Sequence, residues 1–287
     1  IKDFEILTKN INSIGKNSIK YKNSPQSELI SKYIYNLSMP LEKINKNTHN
    51  TLTPKASFRL SPHDMKNHTS TSRRLNVGNL FSSNRLGLGD SFEAGESLTL
   101  GVSFTKEKIN TKNEITEIED YFDFQLATVF RVKEEINIPS NSTLNRKTSN
   151  IFGQVNLKPN KIVELNYDFS LNNDLNTFEH NSITSKFDFN SFSTQLRFLE
   201  ERGVIGNSNA IESTSEYTFN EYNSLSFSTR RNRKLNLTEY YDLIYEYKND
   251  CLIANIKYRK DYYQDSDIIP KEELFFSITI VPFYTFS

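Results

Sequence analysis

Four histidines, one cysteine, a run of cations and a loop of mixed charge are the places where this sequence could do chemistry. A hydrolase needs a nucleophile, a base and a third group that orients the base. His63-Asp64 and His68 stand among many Ser and Thr, and His49 and His180 lie elsewhere, but no G-x-S-x-G elbow occurs. The chain is therefore read as a non-enzyme, with its histidines as loop residues. One cysteine, Cys251, and scattered histidines cannot assemble a zinc set or an internal disulfide, so neither metal nor cofactor is expected. Cys251 is either a small idle thiol or half of a bond to a cysteine outside this sequence. Arg230-Arg231-Asn232-Arg233-Lys234 could grip a phosphate, or be a solvated loop or rim. Arg85, Asp90 and Glu93, just after Asn84 and interleaved with Gly87, Gly89 and Gly95, could pair if their loop folds inward; otherwise they are solvated charges.

The elements that would position these residues follow a period of two. Leu52, Pro54, Ala56, Phe58 and Leu60 alternate with Thr53, Lys55, Ser57 and Arg59. Leu98, Leu100, Val102 and Phe104 alternate with Thr99, Gly101 and Ser103, and Val163, Leu165, Tyr167, Phe169 and Leu171 with Glu164, Asn166, Asp168 and Ser170. Each pattern gives a strand with one apolar and one polar face. Phe122 to Val132 alternates except at Thr128-Val129, and weaker candidates start near Leu29, Ile151, Ile183, Phe192, Ile211, Leu225, Tyr241, Leu252 and Leu274. That makes about a dozen strands, several near the ~9–11 residues that cross a bilayer at a tilt. Turn-forming steps such as Asn172-Asn173-Asp174 and Lys248-Asn249-Asp250 separate them. Residues 62–96 and 133–150 stand out as long connections, and no domain boundary is marked within 1–287.

The 287 residues have a mean hydropathy of -0.60, and no stretch approaches the roughly 18 apolar residues of a membrane helix. A membrane barrel stays open, because lumen-facing polar residues cancel lipid-facing apolar ones in any average. The 15 Tyr and 21 Phe suit strands and interfacial girdles. A soluble secreted β-sheet binding protein would also alternate. Successive strands with little between them, charged polar faces and mixed Phe, Tyr and Leu faces favour the barrel. Lys plus Arg and Asp plus Glu both number 35, which gives no electrostatic reason to expect nucleic acid. The first residues, Ile1-Lys2-Asp3-Phe4-Glu5, hold neither an initiator Met nor a signal peptide, so the chain is expected to be cut from a longer one.

Two separated motifs carry a resemblance to a known family. Asn79-Leu80-Phe81, Asn84-Arg85, Gly89 with Asp90, and Glu93-x-Gly95 run into the strand Leu98 to Phe104, preceded by Leu52-Thr53-Pro54-Lys55. Tyr245 to Arg259 holds Asp250-Cys251 at a turn before an alternating strand. Both resemble the lipopolysaccharide-assembly family LptD, in the same order. Ser91 stands where the family often has Arg, and Leu252 where many members have a second cysteine.

The resemblance implies an all-β, antiparallel, up-and-down transmembrane β-barrel in the outer membrane, of which this chain is expected to be the C-terminal, incomplete portion. It implies transport of lipopolysaccharide to the outer leaflet, an LptE-like lipoprotein plug, and a periplasmic bridge reached through an N-terminal domain outside this sequence. Cys251 would then tie the barrel to that domain by a disulfide. Asn84, Arg85, Asp90 and Glu93 would form a lumen or loop motif. Leu274, Phe276, Ile278, Ile280 and Pro282 would lie on the last strand, one side of a lateral gate; Pro282, which cannot donate a ladder hydrogen bond, either weakens that strand or only ends it. The alternatives are a porin- or receptor-type barrel, the soluble binding protein and, more weakly, an outer-membrane hydrolase.

Overall fold

The computed structural model describes residues 2–10, 27–89, 91–112, 115–262 and 271–280, with side chains from residue 31 onward except 110–120. Fifteen strands occur among them: β1 (Lys2–Asn10), β2 (Ser27–Ser38), β3 (Leu41–Ile44), β4 (Thr48–Ser61), β5 (Gly95–Lys112), β6 (Ile115–Arg131), β7 (Ile151–Leu157), β8 (Val163–Leu171), β9 (Phe178–Phe189), β10 (Phe192–Glu201), β11 (Asn209–Asn220), β12 (Asn223–Asn232), β13 (Leu237–Lys248), β14 (Leu252–Asp261) and β15 (Glu272–Ile280). The order in the sheet follows the chain from β1 to β15, and every strand pair whose register is defined is antiparallel. Only β3 lies off that path, against β4. The register of β2 on β4, Tyr33↔Leu60 to Ser38↔Lys55, runs on unchanged through Leu41↔Leu52 to Ile44↔His49. β2 and β3 are thus one strand interrupted at Met39-Pro40. Pro40 has no N–H to give the ladder, and Met39 N–H bridges the gap to the Pro54 carbonyl at 3.1 Å.

Helix is confined to a single turn, α1 (Val77–Leu80), and a 3-10 turn at Ser140–Ser142 among the described residues. The short α1 is held by its ends: the Asn76 side chain accepts from Asn79 N–H and the Asn79 side chain accepts from Asn76 N–H. No helix among the described residues is long and apolar enough to cross a membrane. The all-β, up-and-down architecture expected from the alternation is therefore present. The order does not close on itself among the described residues; β1 and β15 stand at its two ends. The weaker candidate that starts near Leu29 belongs to strand β2. The register also adds what the alternation missed, the strands at Lys2–Asn10 and Leu41–Ile44.

The chain forms two compact units. The first comprises Ile1–Ile118, Phe124–Gln154 and Ser170–Phe178, and the second Glu119–Asp123, Val155–Phe169 and Glu179–Ser287. In the first, the hydrophobic core lies between the strands and the loops laid on them. Met65, Leu75, Val77, Leu80, Leu86 and Leu88 of one loop meet Ile138 and Leu144 of the next, over Ala127, Val129 and Phe152 of β6 and β7. On the wall itself the usual order is inverted. Ser57, Arg59, Ser61, Ser97 and Thr99 are buried under the loops, while Phe58, Leu98 and Leu100 are exposed. That is the expected facing of a strand with an apolar side toward lipid.

In the second unit the same parity holds strand after strand. Phe198, Ile211, Phe227, Leu243, Tyr258 and Leu274 share one face by cross-strand register, or by parity along their strands. Arg197, Glu212, Ser226, Asp242 and Lys257 share the other. The polar face carries ion pairs from β10 to β14: Arg197 to Glu212 at 3.3 Å, Glu212 to Arg230 at 3.1 Å, and Lys257 to Asp242 at 3.2 Å.

Candidate functional site

The densest chemistry in the first unit is a buried charge cluster centred on Glu93. The loop brings Glu93 to the foot of β5, where Gly95 takes φ +85 and a Cβ would stand 2.9 Å from the Arg131 guanidinium. Only glycine adopts that backbone there without strain. Arg85 donates to Glu93 through Nε at 2.7 Å and Nη2 at 2.5 Å, a two-pronged pair. Two more of its donors go to Thr99 Oγ1 and Ser97 Oγ, both at 2.9 Å, on the inward face of β5. Arg131, at the end of β6, donates to Glu93 at 2.5 Å and to the Ala94 carbonyl. Arg59 of β4 comes within 3.9 Å of Glu93 and donates to the Ser82 and Ser83 carbonyls at 2.8 Å. Lys32 of β2 reaches the Ser83 carbonyl at 3.2 Å and lies 4.2 Å over the Phe92 ring.

Burial by itself pushes the Glu93 carboxyl up, but Arg85, Arg59 and Arg131 together outweigh it and hold the pKa at about 2. Arg85 and Glu93 are 1 % and 3 % exposed, so the alternative of solvated loop charges is overturned for both. The Glu93 carboxylate takes hydrogen bonds from two guanidinium groups, and the arrangement fastens a loop to a wall. Asn84 makes its own clasp, donating to the Leu88 carbonyl at 2.8 Å and accepting from Leu88 N–H at 3.0 Å. Asp90 and Pro282 lie outside the described residues. Ser91, where the family's Arg would stand, accepts from Lys66 N–H and donates to the Phe92 carbonyl. Sequence reasoning missed Arg59, Arg131 and Lys32 as members of the cluster. The available signal was an arginine or lysine on the polar side of an alternating strand.

Among the histidines, His49 stands between carboxylates and a hydroxyl. His49 Nδ1 lies 2.7 Å from Glu107, and Nε2 lies 3.5 Å from Thr51 Oγ1 and 3.6 Å from Glu42. Thr51 sits in a ladder paired on both sides, with Glu42 and Thr105. His63 packs edge-on to Phe92, and His180 stands 3.4 Å from Glu201. No group of three His, Cys, Asp or Glu suited to a metal occurs among the described residues.

Cys251 is a half-buried free thiol in the turn between β13 and β14. Asn249 shapes that turn, its side chain accepting from Cys251 N–H at 3.0 Å and Leu252 N–H at 2.8 Å. Leu274, Phe276, Ile278 and Ile280 of β15 are 57–75 % exposed, at the end of the strand order. The cation run is not a loop throughout: Arg230, Arg231 and Asn232 are the last residues of β12, and only Arg233 and Lys234 enter the turn.

No curated protein matches the chain. Among solved structures it is similar to mutant forms of the Rh. blastica porin. One of these mutants has 9 % identity and a TM-score of 0.37, over 90 % of this chain and 81 % of that one. Another has 8 % identity and a TM-score of 0.36, over 91 % and 93 %. Residues 9–210 match the family described as LptD, LPS transport system D. That stretch is most of the chain and contains the whole Glu93 cluster, so the chain belongs to the LptD family, outer-membrane β-barrel proteins of lipopolysaccharide transport.

Proposed function

We propose that this chain forms the last-strand side of a barrel that releases lipopolysaccharide sideways into the outer leaflet. The observation that carries the reading is β15, which ends the strand order among the described residues with its apolar residues bare. Unpaired ladder groups in lipid cost several kcal/mol each, so β15 requires a partner strand. A partner held by few ladder bonds can leave and return. Such an opening solves a transport problem: the sugar needs a polar path, and the acyl chains must stay out of it. The ion-paired face of β10 to β14 would supply the polar path.

Loop lengths support an orientation. In the second unit the turns at 190–191, 221–222 and 249–251 are two or three residues long, whereas 202–208 and 233–236, at the other strand ends, are longer. Outer-membrane barrels keep short turns in the periplasm. Cys251 then faces the periplasm, where it would bond a cysteine of a periplasmic domain that receives lipopolysaccharide from the bridge. An LptE-like lipoprotein would fill the remaining lumen.

A photo-crosslinking residue in place of Phe276 or Ser277, in the full-length protein in growing cells, tests the gate. Lipopolysaccharide adducts at Ser277, on the polar face, are expected while transport runs and should vanish when cellular energy is depleted. Adducts indifferent to energy, or none at Ser277, would remove β15 from the path. Non-reducing electrophoresis tests the disulfide, with a mobility difference expected between the parent and Cys251→Ser.

A further inference from the structure

The last residues of β12 split by charge environment. Arg230, on the polar face, is clamped by Glu212 at 3.1 Å and Glu239 at 2.7 Å. Arg231, Arg233 and Lys234 have only neutral partners among the described residues: Arg231 donates to Asn236 Oδ1 at 2.6 Å, Arg233 lies 5.4 Å over the Phe198 ring, and Lys234 donates to Asn207. Arg231 also points the other way from Arg230. It lies opposite Ile211, which lies opposite Phe198, which lies opposite Ile183, so the four share the apolar face. Glu200, on that face too, is already held by Arg202 at 2.6 Å. Beside Phe198 the same unit has an apolar cavity of about 360 Å³, lined chiefly by Val155, Leu157, Leu165, Tyr167, Ile183 and Phe198.

We infer that this is a binding site for one phosphate-bearing lipid, with an acyl chain in the cavity and the phosphate on Arg231, Arg233 and Lys234. Three uncompensated cations at the edge of a lipid-facing surface attract an anionic headgroup. Guanidinium groups grip phosphate oxygens by two-pronged hydrogen bonds, and long basic side chains lay their stems on apolar surface while their heads reach the interface. The charge on one side and the apolar hollow on the other fit a single molecule that has both. The site rests on the membrane-spanning reading above and places its lipid at the longer-loop end.

Trp is absent from the chain, so Ile211→Trp provides one fluorescent reporter between Phe198 and Arg231. The full chain, reconstituted in phosphatidylcholine bilayers, is titrated with dibrominated phosphatidic acid or dibrominated phosphatidylcholine. Phosphatidic acid should quench several-fold more strongly at equal mole fraction. Arg231→Gln/Arg233→Gln/Lys234→Gln should abolish that preference and leave quenching by the phosphatidylcholine unchanged. Inorganic phosphate alone should not displace the brominated phosphatidic acid; full displacement would overturn a lipid site in favour of a free-phosphate site. Equal quenching by the two lipids in the parent, or a preference that survives the triple substitution, also overturns the site and leaves the transport reading intact. Absence of quenching by either lipid would sink the membrane-spanning reading with it.

Discussion

Glu93 is the residue on which the folded-in loop turns. Two arginines donate to it and a third lies within 3.9 Å, so neutralising it leaves buried guanidinium groups uncompensated. Removing one partner of a buried pair costs about 3–5 kcal/mol. Glu93→Gln is expected to lower stability by that order and to open residues 62–94 to protease, read by limited proteolysis of the refolded protein. The same carboxyl sets an acid limit. Its folded pKa of about 2 lies below the ordinary 4.5, so between those values the unfolded chain binds more protons than the folded one. The stabilisation is complete above about pH 4.5 and drains as pH falls through about 2. Melting midpoints across that window should fall in the parent more steeply than in Glu93→Gln; parallel curves would mean the cluster does not stabilise the fold.

At the scale of the element, Gly101 shows how β5 admits the loop. A Cβ there would stand 2.8 Å from the Phe81 ring, 3.0 Å from the Leu126 carbonyl and 3.1 Å from Ala127. Gly101→Val overpacks the contact between α1 and the wall, at a cost of about 1–3 kcal/mol. It should loosen the loop without unpairing β5, which hydrogen exchange can separate: faster exchange at residues 77–82 and unchanged protection along β5. The facing of the second unit makes a different demand. Leu243 is 41 % exposed on the apolar face and Ser226 lies on the polar one. An arginine at mid-membrane costs about 2–4 kcal/mol on the lipid side only. Leu243→Arg should therefore reduce the membrane-assembled fraction, and Ser226→Arg should leave it near the parent. Equal assembly of both would contradict the assignment of faces.

For the whole molecule, the two ends of the strand order carry the most consequence. β15 shows an unpaired edge among the described residues, and an edge of apolar strand invites pairing with whatever strand is offered. Replacing Ser277, on the polar face, by Lys in the full-length protein should blunt that edge without placing a charge in lipid. The expected outcome is slower delivery of lipopolysaccharide to the cell surface, measured by pulse labelling, with unchanged barrel assembly on unheated gels. A loss of assembly together with delivery would make β15 a structural seam and not a moving one.

The alternation of apolar and polar residues determined the strands, their antiparallel succession and their faces. Leu98, Leu100 and Thr99 lie where a period of two puts them, because a strand has only two sides. The same local rule left out β1, and β3, where Pro40 interrupts the ladder, and it could not tell whether Arg85 and Glu93 were wet or dry. Charge in a loop is ordinarily solvated; here Arg59 from β4 and Arg131 from β6 arrive from positions distant in sequence to surround a carboxylate that the chain alone leaves unpartnered. The split between Arg230 and Arg231 has the same cause. In sequence they are neighbours in one basic run, but the pleat sends one to two glutamates and the other to the apolar face, and only the cross-strand register decides which charge is left over.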